Sequence, residues 1–228
     1  MSDHGVRATN QRIFRWKDQE TYLRGSDVYQ ILDGEQMHFA RAVLLPGTEY
    51  EMHSHPQEQF SLLLSGRLLL TVGDEKREIG PGDGWYVPGG VDHGGHVLGD
   101  EPAVFIDAYS QATEWTASLL NAPDVRKVPS GTKTTVVHNQ HDGYDVYIGR
   151  AVPEAGLEAS KWGNPIVLAD DSDEERKRVI VEYRAWVLEQ PELMGALTEL
   201  RGLRLGCWCA PKLCHGDVLA ELADQVGT

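Results

Sequence analysis

His53-Ser54-His55 sets two imidazoles two residues apart, and Gln59 shares their parity although Pro56 interrupts the alternation. On an extended strand that spacing turns the side chains to one face. His93 follows the tight turn Pro88-Gly89-Gly90. Imidazoles gathered on one inner face are ligands for a divalent transition metal, and these residue types do not choose among Fe, Mn, Ni, Zn and Cu. A lone histidine would read as an ordinary core or surface residue, whereas a His-x-His pair framed by glycines reads as a metal site. Phe105, Asp107 and Tyr109 share parity on the apolar run Ala103 to Tyr109. A carboxylate there is either an inward acid–base group beside the metal or an edge residue in water. On the first reading Asp107 and Tyr109 are the catalytic proton carriers. Arg41 offers a bidentate clamp for a substrate carboxylate, against the alternative of an outward salt bridge. His38 and His96 read as structural, Trp85 and Tyr86 as packing.

The second concentration of chemistry is the run Cys207-Trp208-Cys209-Ala210-Pro211-Lys212-Leu213-Cys214-His215. It leaves a strand, turns at Pro211 and opens a helix, where free backbone N–H groups favour an anion or a thiolate. A ligand-binding corner that includes Cys214 and His215 is the first reading, and buried cysteines packing a strand–helix corner the second. Zinc is third, because the spacing lacks a C-x-x-C knuckle. A Cys214 nucleophile is last, because adjacent helical residues point about 100° apart. Arg150 after a strand, and Lys161, Trp162 and Asn164 in a Gly/Pro-bounded loop, add cation, aromatic and amide to that corner. Such a set suits a phosphorylated or nucleotide-like ligand, with a solvated loop as the competing reading.

The elements that must position these residues change grammar along the chain. Residues 36–45, 60–64, 67–72, 84–87 and 103–109 read as short strands separated by Gly, Pro and Asp turns, which predicts an all-β first half. Residues 112–133 read as a linker. Strands at 134–138, 145–148 and 203–208 then alternate with helices at 172–190, 193–200 and 215–226, which predicts a small α/β domain. Ser172 and Glu175 form a capping-box signature, and Pro191 stops that helix.

From Gly47 through His53, His55 and Gln59 to Gly66, and again from Gly82 through Pro88 and Gly90 to His93, the sequence resembles the cupin family. The resemblance covers roughly residues 30–110 and implies an all-β cupin barrel (a double-stranded β-helix), in a domain expected to span residues 1–111. It also implies His53, His55, Gln59 and His93 as ligands of one divalent transition metal, and a homodimer formed through the cupin domain. Gln59 stands where many cupins carry glutamate, and Val97 where the second motif often ends in asparagine. Residues 134–226, within a domain expected to span 134–228, resemble a bacterial and phage family of uncharacterised function through Tyr147-Ile148-Gly149-Arg150, Ser160 to Pro165 and the cysteine run. Its expected architecture is a small Rossmann-like three-layer α/β domain.

The chain has 228 residues and a formal charge of −14, which argues against nucleic acid or an anionic membrane as the main partner. No stretch approaches the ~20 apolar residues of a membrane span, and residues 1–10 lack the apolar core of a signal peptide. Three cysteines within eight residues suit a reducing compartment, so a cytoplasmic location is expected. Together these readings predict a metal-dependent cupin enzyme for a small oxygen-rich metabolite, of isomerase, lyase or Fe(II)-oxygenase type. It is fused to a module for a phosphorylated or nucleotide-like ligand, the alternative being a non-catalytic cupin sensor that regulates that module.

Overall fold

The computed structural model describes residues 12–110 and 114–226. The N-terminal stretch 1–10 and the expected domain boundary at residues 111–112 lie outside them. The chain divides into two compact units, the first ending at Ser130 and the second beginning at Gly131.

The first unit contains β1 (Thr21–Arg24), β2 (Asp27–Asp33), β3 (His38–Leu44), β4 (Glu49–His53), β5 (Gln59–Ser65), β6 (Arg67–Val72), β7 (Glu75–Ile79), β8 (Gly84–Val87), β9 (His93–Leu98) and β10 (Ala103–Tyr109). Helix α1 (Glu114–Asn121) and β11 (Val125–Val128) complete it. The stretch read as a linker therefore carries a strand, and β11 pairs with β1 antiparallel, Thr21 opposite Val128.

The expected barrel is not what forms. The strands make two open sheets, a seven-stranded one in the order β11-β1-β2-β3-β10-β5-β8 and a four-stranded one in the order β4-β9-β6-β7. Neither sheet closes on itself. Burial alternates strictly along β10, and along the first five residues of β5, so each strand has one apolar face to cover. That face is covered by a core to which both sheets contribute, among them Leu44, Leu63 and Phe105 from one and Tyr50, Leu68 and Val97 from the other. Packing across the two inner faces removes the need for closure.

The second unit holds β12 (Thr135–His138), β13 (Val146–Tyr147), α2 (Asp173–Leu188), α3 (Pro191–Gly195), β14 (Arg204–Cys207) and α4 (His215–Gln225). The expected three-layer Rossmann-like domain is also corrected. There is one three-stranded sheet in the order β12-β14-β13, both pairings parallel, and the rest of the regular structure is helical. Its strands are only two to four residues long, so the sheet is a small part of a mostly helical unit. At the start of α2 the Ser172 hydroxyl accepts the Glu175 N–H at 3.2 Å, as the sequence signals. Glu175 does not reciprocate; its carboxylate takes the Ala169 N–H and the Arg178 guanidinium.

Candidate metal centre and C-terminal cavity

His53 ends β4 and His93 begins β9, and the two are direct cross-strand partners. Their ring centroids lie 4.2 Å apart. His55 is not on the same strand, as its parity had implied; β4 has ended, and the His55 ring is placed by the turn that follows. Gly90 N–H donates to the His55 carbonyl at 2.7 Å, and any Cβ on Gly89 would collide with the Pro56 carbonyl. Glycine at 89 is thus what lets the turn preceding His93 clasp the loop that carries His55.

Each imidazole is oriented by a backbone carbonyl at Nδ1: Glu51 O at 2.8 Å for His53, Gln57 O at 2.9 Å for His55 and Val91 O at 3.1 Å for His93. A carbonyl only accepts, so each Nδ1 carries a hydrogen and each ring turns its Nε2 elsewhere. His93 Nε2 is buried with no hydrogen-bond partner. Burial lowers the pKa of His53, and brings that of His93 down to about 4, so both rings are neutral at physiological pH. The three histidines offer ligand atoms that all lie within 4.8 Å of one another. Orphaned nitrogen, fixed tautomers and mutual approach fit a single divalent transition metal.

Gln59, the first residue of β5, is completely buried. Its Oε1 stands 3.0 Å from His55 Nε2, while its amide donates to Ser61 Oγ at 2.8 Å and Asp107 Oδ1 at 3.0 Å. Asp107 is buried and accepts two further bonds, from Ser61 Oγ at 2.6 Å and from the Tyr109 hydroxyl at 3.1 Å. Burial raises its pKa to about 6 against the opposing pull of those donors. Burial, and then the Asp107 charge, push Tyr109 well above the usual phenol range, so it stays protonated. Rows of the seven-stranded sheet explain the assembly: Gln59, Tyr109 and His38 are consecutive cross-strand partners, as are Ser61, Asp107 and Ala40.

Arg41 is opposite Ile106, one residue out of step with Asp107, and so occupies the other face of the sheet. There it is buried and donates to Gln30 Oε1 at 3.0 Å. His38 pairs with Asp33, both buried, and its ring packs 5.7 Å from that of Tyr109.

In the second unit Cys207 ends β14, Cys209 follows in the turn and Cys214 caps α4, and their Sγ atoms all lie within 4.8 Å of one another. They open on a cavity of about 390 Å³ lined also by Arg150, Asn164, Arg176, Trp208 and His215. His215 Nε2 donates to Ile148 O at 2.9 Å, leaving Nδ1 3.7 Å from Cys214 Sγ. Arg150 spends two donors on the Asn164 and Ile166 carbonyls at 2.7 and 2.6 Å, shaping the wall. Lys161 and Trp162 are not among the lining residues. Lys161 pairs with Glu199 at 2.7 Å, and Trp162 is a buried member of the apolar core.

A family model described as "Cupin domain" matches residues 40–109, and one described as "Domain of unknown function (DUF4326)" matches residues 132–225. The chain is a cupin domain joined to a DUF4326 domain. An uncharacterised 12.4 kDa protein of Enterobacteria phage T4 is 31% identical over 97 residues, covering 42% of this chain and 82% of that protein. Oxalate decarboxylase OxdC of Bacillus subtilis is 28% identical over 111 residues, which cover 42% of this chain and 29% of the relative. Among solved structures, an RmlC-like cupin from Shewanella frigidimarina is similar at 23% identity and a TM-score of 0.43, over 46% of this chain and 95% of that one.

The cupin domain therefore carries a three-histidine site for one divalent metal. Sequence reasoning missed Ser61, which links Gln59 to Asp107; its shared parity with Gln59 on an apolar strand was the available signal. In the DUF4326 domain it missed Arg176, whose helical position gave no hint that the guanidinium faces the cysteines. No described helix is long and apolar enough to cross a membrane.

Proposed function

We propose that the cupin domain is a metal-dependent enzyme acting on a small oxygen-rich metabolite, with Gln59 joining His53, His55 and His93 as the fourth ligand. The juxtaposition of Gln59 Oε1 and His55 Nε2 at 3.0 Å carries this reading. In the tautomer that carries one hydrogen, at Nδ1, both are lone-pair acceptors, since the Gln59 amide hydrogens point at Ser61 and Asp107. Two acceptors at that distance repel unless a cation draws on both. A divalent ion bound by four neutral ligands keeps its full charge and supplies Lewis acidity toward a ligand oxygen. The likeness to oxalate decarboxylase supports a small carboxylate as the substrate class, within isomerase, lyase or Fe(II)-oxygenase chemistry.

Asp107 is the proton carrier in this reading. A carboxyl whose pKa lies near 6 exchanges protons readily at neutral pH, while Tyr109 remains a donor that steadies one of its oxygens. Asp107→Asn and Tyr109→Phe are expected to keep the metal and to lower turnover of the substrate found by screening small carboxylates, by ~10²-fold or more for Asp107→Asn. Metal loss in Asp107→Asn would reduce the carboxylate to a support for Gln59. Unchanged turnover would remove the proton role. One observation favours a non-catalytic ligand sensor instead: both Asp107 oxygens already accept protein donors.

For the DUF4326 domain the reading is a phosphorylated or nucleotide-like ligand in the cavity. Arg150 and Asn164 supply polar contacts, His215 lines the wall beside Cys214, and Ile166, Val179 and Ile180 supply apolar wall for a ring. Three free cysteines support a reducing, cytoplasmic setting, and the charge of −14 disfavours nucleic acid.

A homodimer through the cupin domain is supported by the outer face of the seven-stranded sheet. Phe60 is 62% exposed and Tyr86 43%, their rings 4.8 Å apart, with Leu62 and Leu64 also exposed on β5. A second copy presenting the same row would cover it. Phe60→Asp with Leu62→Asp is expected to convert a dimer to a monomer in sedimentation velocity with metal content unchanged. A wild-type monomer would end the dimer reading.

A further inference from the structure

The cysteines of the DUF4326 domain reach one another from three different places: the end of β14, the following turn and the N-cap of α4. None is in a disulfide. Sulfur ligands about 2.3 Å from a tetrahedral zinc stand just under 4 Å from each other, so an approach of all three within 4.8 Å needs little adjustment to hold the ion. The surroundings are built for sulfur that carries charge. Cys214 Sγ accepts the Gly216 N–H at 3.3 Å at the start of α4, where the helix dipole favours an anion. The Arg176 guanidinium lies against Cys209. The Gly216 N–H caps α4 through the Cys214 sulfur, and Arg176, which also pairs with Asp171, brings a second donor to the cluster at Cys209.

We propose that Cys207, Cys209 and Cys214 bind one zinc ion as thiolates, with the fourth coordination position open to the cavity of about 390 Å³. Three thiolates and a divalent ion leave one net negative charge, which Arg176 and the α4 N-terminus offset. All three cysteines belong to the cavity wall, so the ion sits at its edge and faces inward. His215 acts from beside the ligands. Its Nε2 is committed to Ile148 O at 2.9 Å, and its Nδ1 faces the Cys214 sulfur at 3.7 Å. Three protein ligands and an open position are the pattern of zinc that engages a ligand, as opposed to zinc that only holds a fold. The ligand class is a small molecule that brings an anionic or soft donor atom to the ion and an apolar body to the Ile166, Val179 and Ile180 side of the cavity.

The test uses the full chain carrying His53→Ala and His93→Ala, which silences the cupin site and keeps the two metal questions apart. About one zinc per chain should remain by elemental analysis. Cobalt substituted for it should show a thiolate-to-metal charge-transfer band, and azide should change its ligand-field bands through the open position. Adding Cys209→Ser, the least buried of the three, should abolish the band while circular dichroism stays native; Cys207→Ser serves as a second variant. Absence of zinc with three titratable thiols, or a disulfide among them, would overturn the site. A cobalt spectrum indifferent to azide would overturn the open position.

Discussion

His93→Ala is expected to lower the affinity of the cupin domain for divalent metal by well over ~100-fold, since losing even a residue that merely supports a ligand costs ~10–100-fold. His93 is completely buried, its tautomer is set by Val91 O, and its Nε2 has no protein partner to fall back on. Isothermal titration with Mn²⁺ measures the loss directly. Thermal unfolding gives an independent reading. Metal at a hundred times its dissociation constant stabilises the wild type by ~2.7 kcal/mol, and that increment should vanish in the variant. A variant that still melts higher with added metal would show that the ion sits elsewhere.

The second large effect is Trp162→Ala, expected to destabilise the DUF4326 domain by ~3–5 kcal/mol, the usual cost of removing a large buried aromatic. Trp162 is 2% exposed, its carbonyl accepts the Tyr183 hydroxyl at 2.9 Å, and the Lys161 ammonium lies 5.0 Å from its ring centroid. Urea unfolding followed at Trp208 and Trp186 reports the change, and metal at the cupin site should be unaffected. Should the variant keep its stability and lose binding in the cavity, the indole would be a ligand platform, the role its Lys-Trp-Gly-Asn setting suggests from sequence.

That contrast shows where sequence pattern stops being informative. A lysine beside a tryptophan in a Gly/Pro loop looks the same whether the ring faces a ligand or a core; only the packing of Tyr183, Leu200 and Leu219 in the same cluster decides it. The bounds of strands β6, β8 and β10 are legible in the sequence because short apolar runs lie between glycine, proline and aspartate turns. By contrast β7, Glu75-Lys76-Arg77-Glu78-Ile79, buries only its last residue and offers no apolar period to read. Strand β11 escaped for another reason: Arg126 and Lys127 look like linker, and its partner β1 lies a hundred residues earlier. His53, His55 and His93 were recognisable as a set from spacing and family resemblance, but the route that gathers them was not. The parity argument placed His55 on a strand that has already ended, whereas a clasp from Gly89 and Gly90 positions it. For Arg41 the sequence left an inward clamp and an outward orientation open, and a one-residue offset from Asp107 puts it on the far face.

The pairing of His53 with His93 also bears on how the cupin domain holds together. Strand β4 is at the margin of its sheet, bonded to β9 alone, and the register slips between Tyr50 and His53. An ion coordinated by both histidines would cross-link residues forty positions apart, at the point where the ladder is weakest. Closing so long a loop is entropically costly for an unfolded chain, and a cross-link that outlasts local opening removes much of that cost. Metal loading then acts as a staple on a marginal strand, and the empty protein is the one whose β4 frays first.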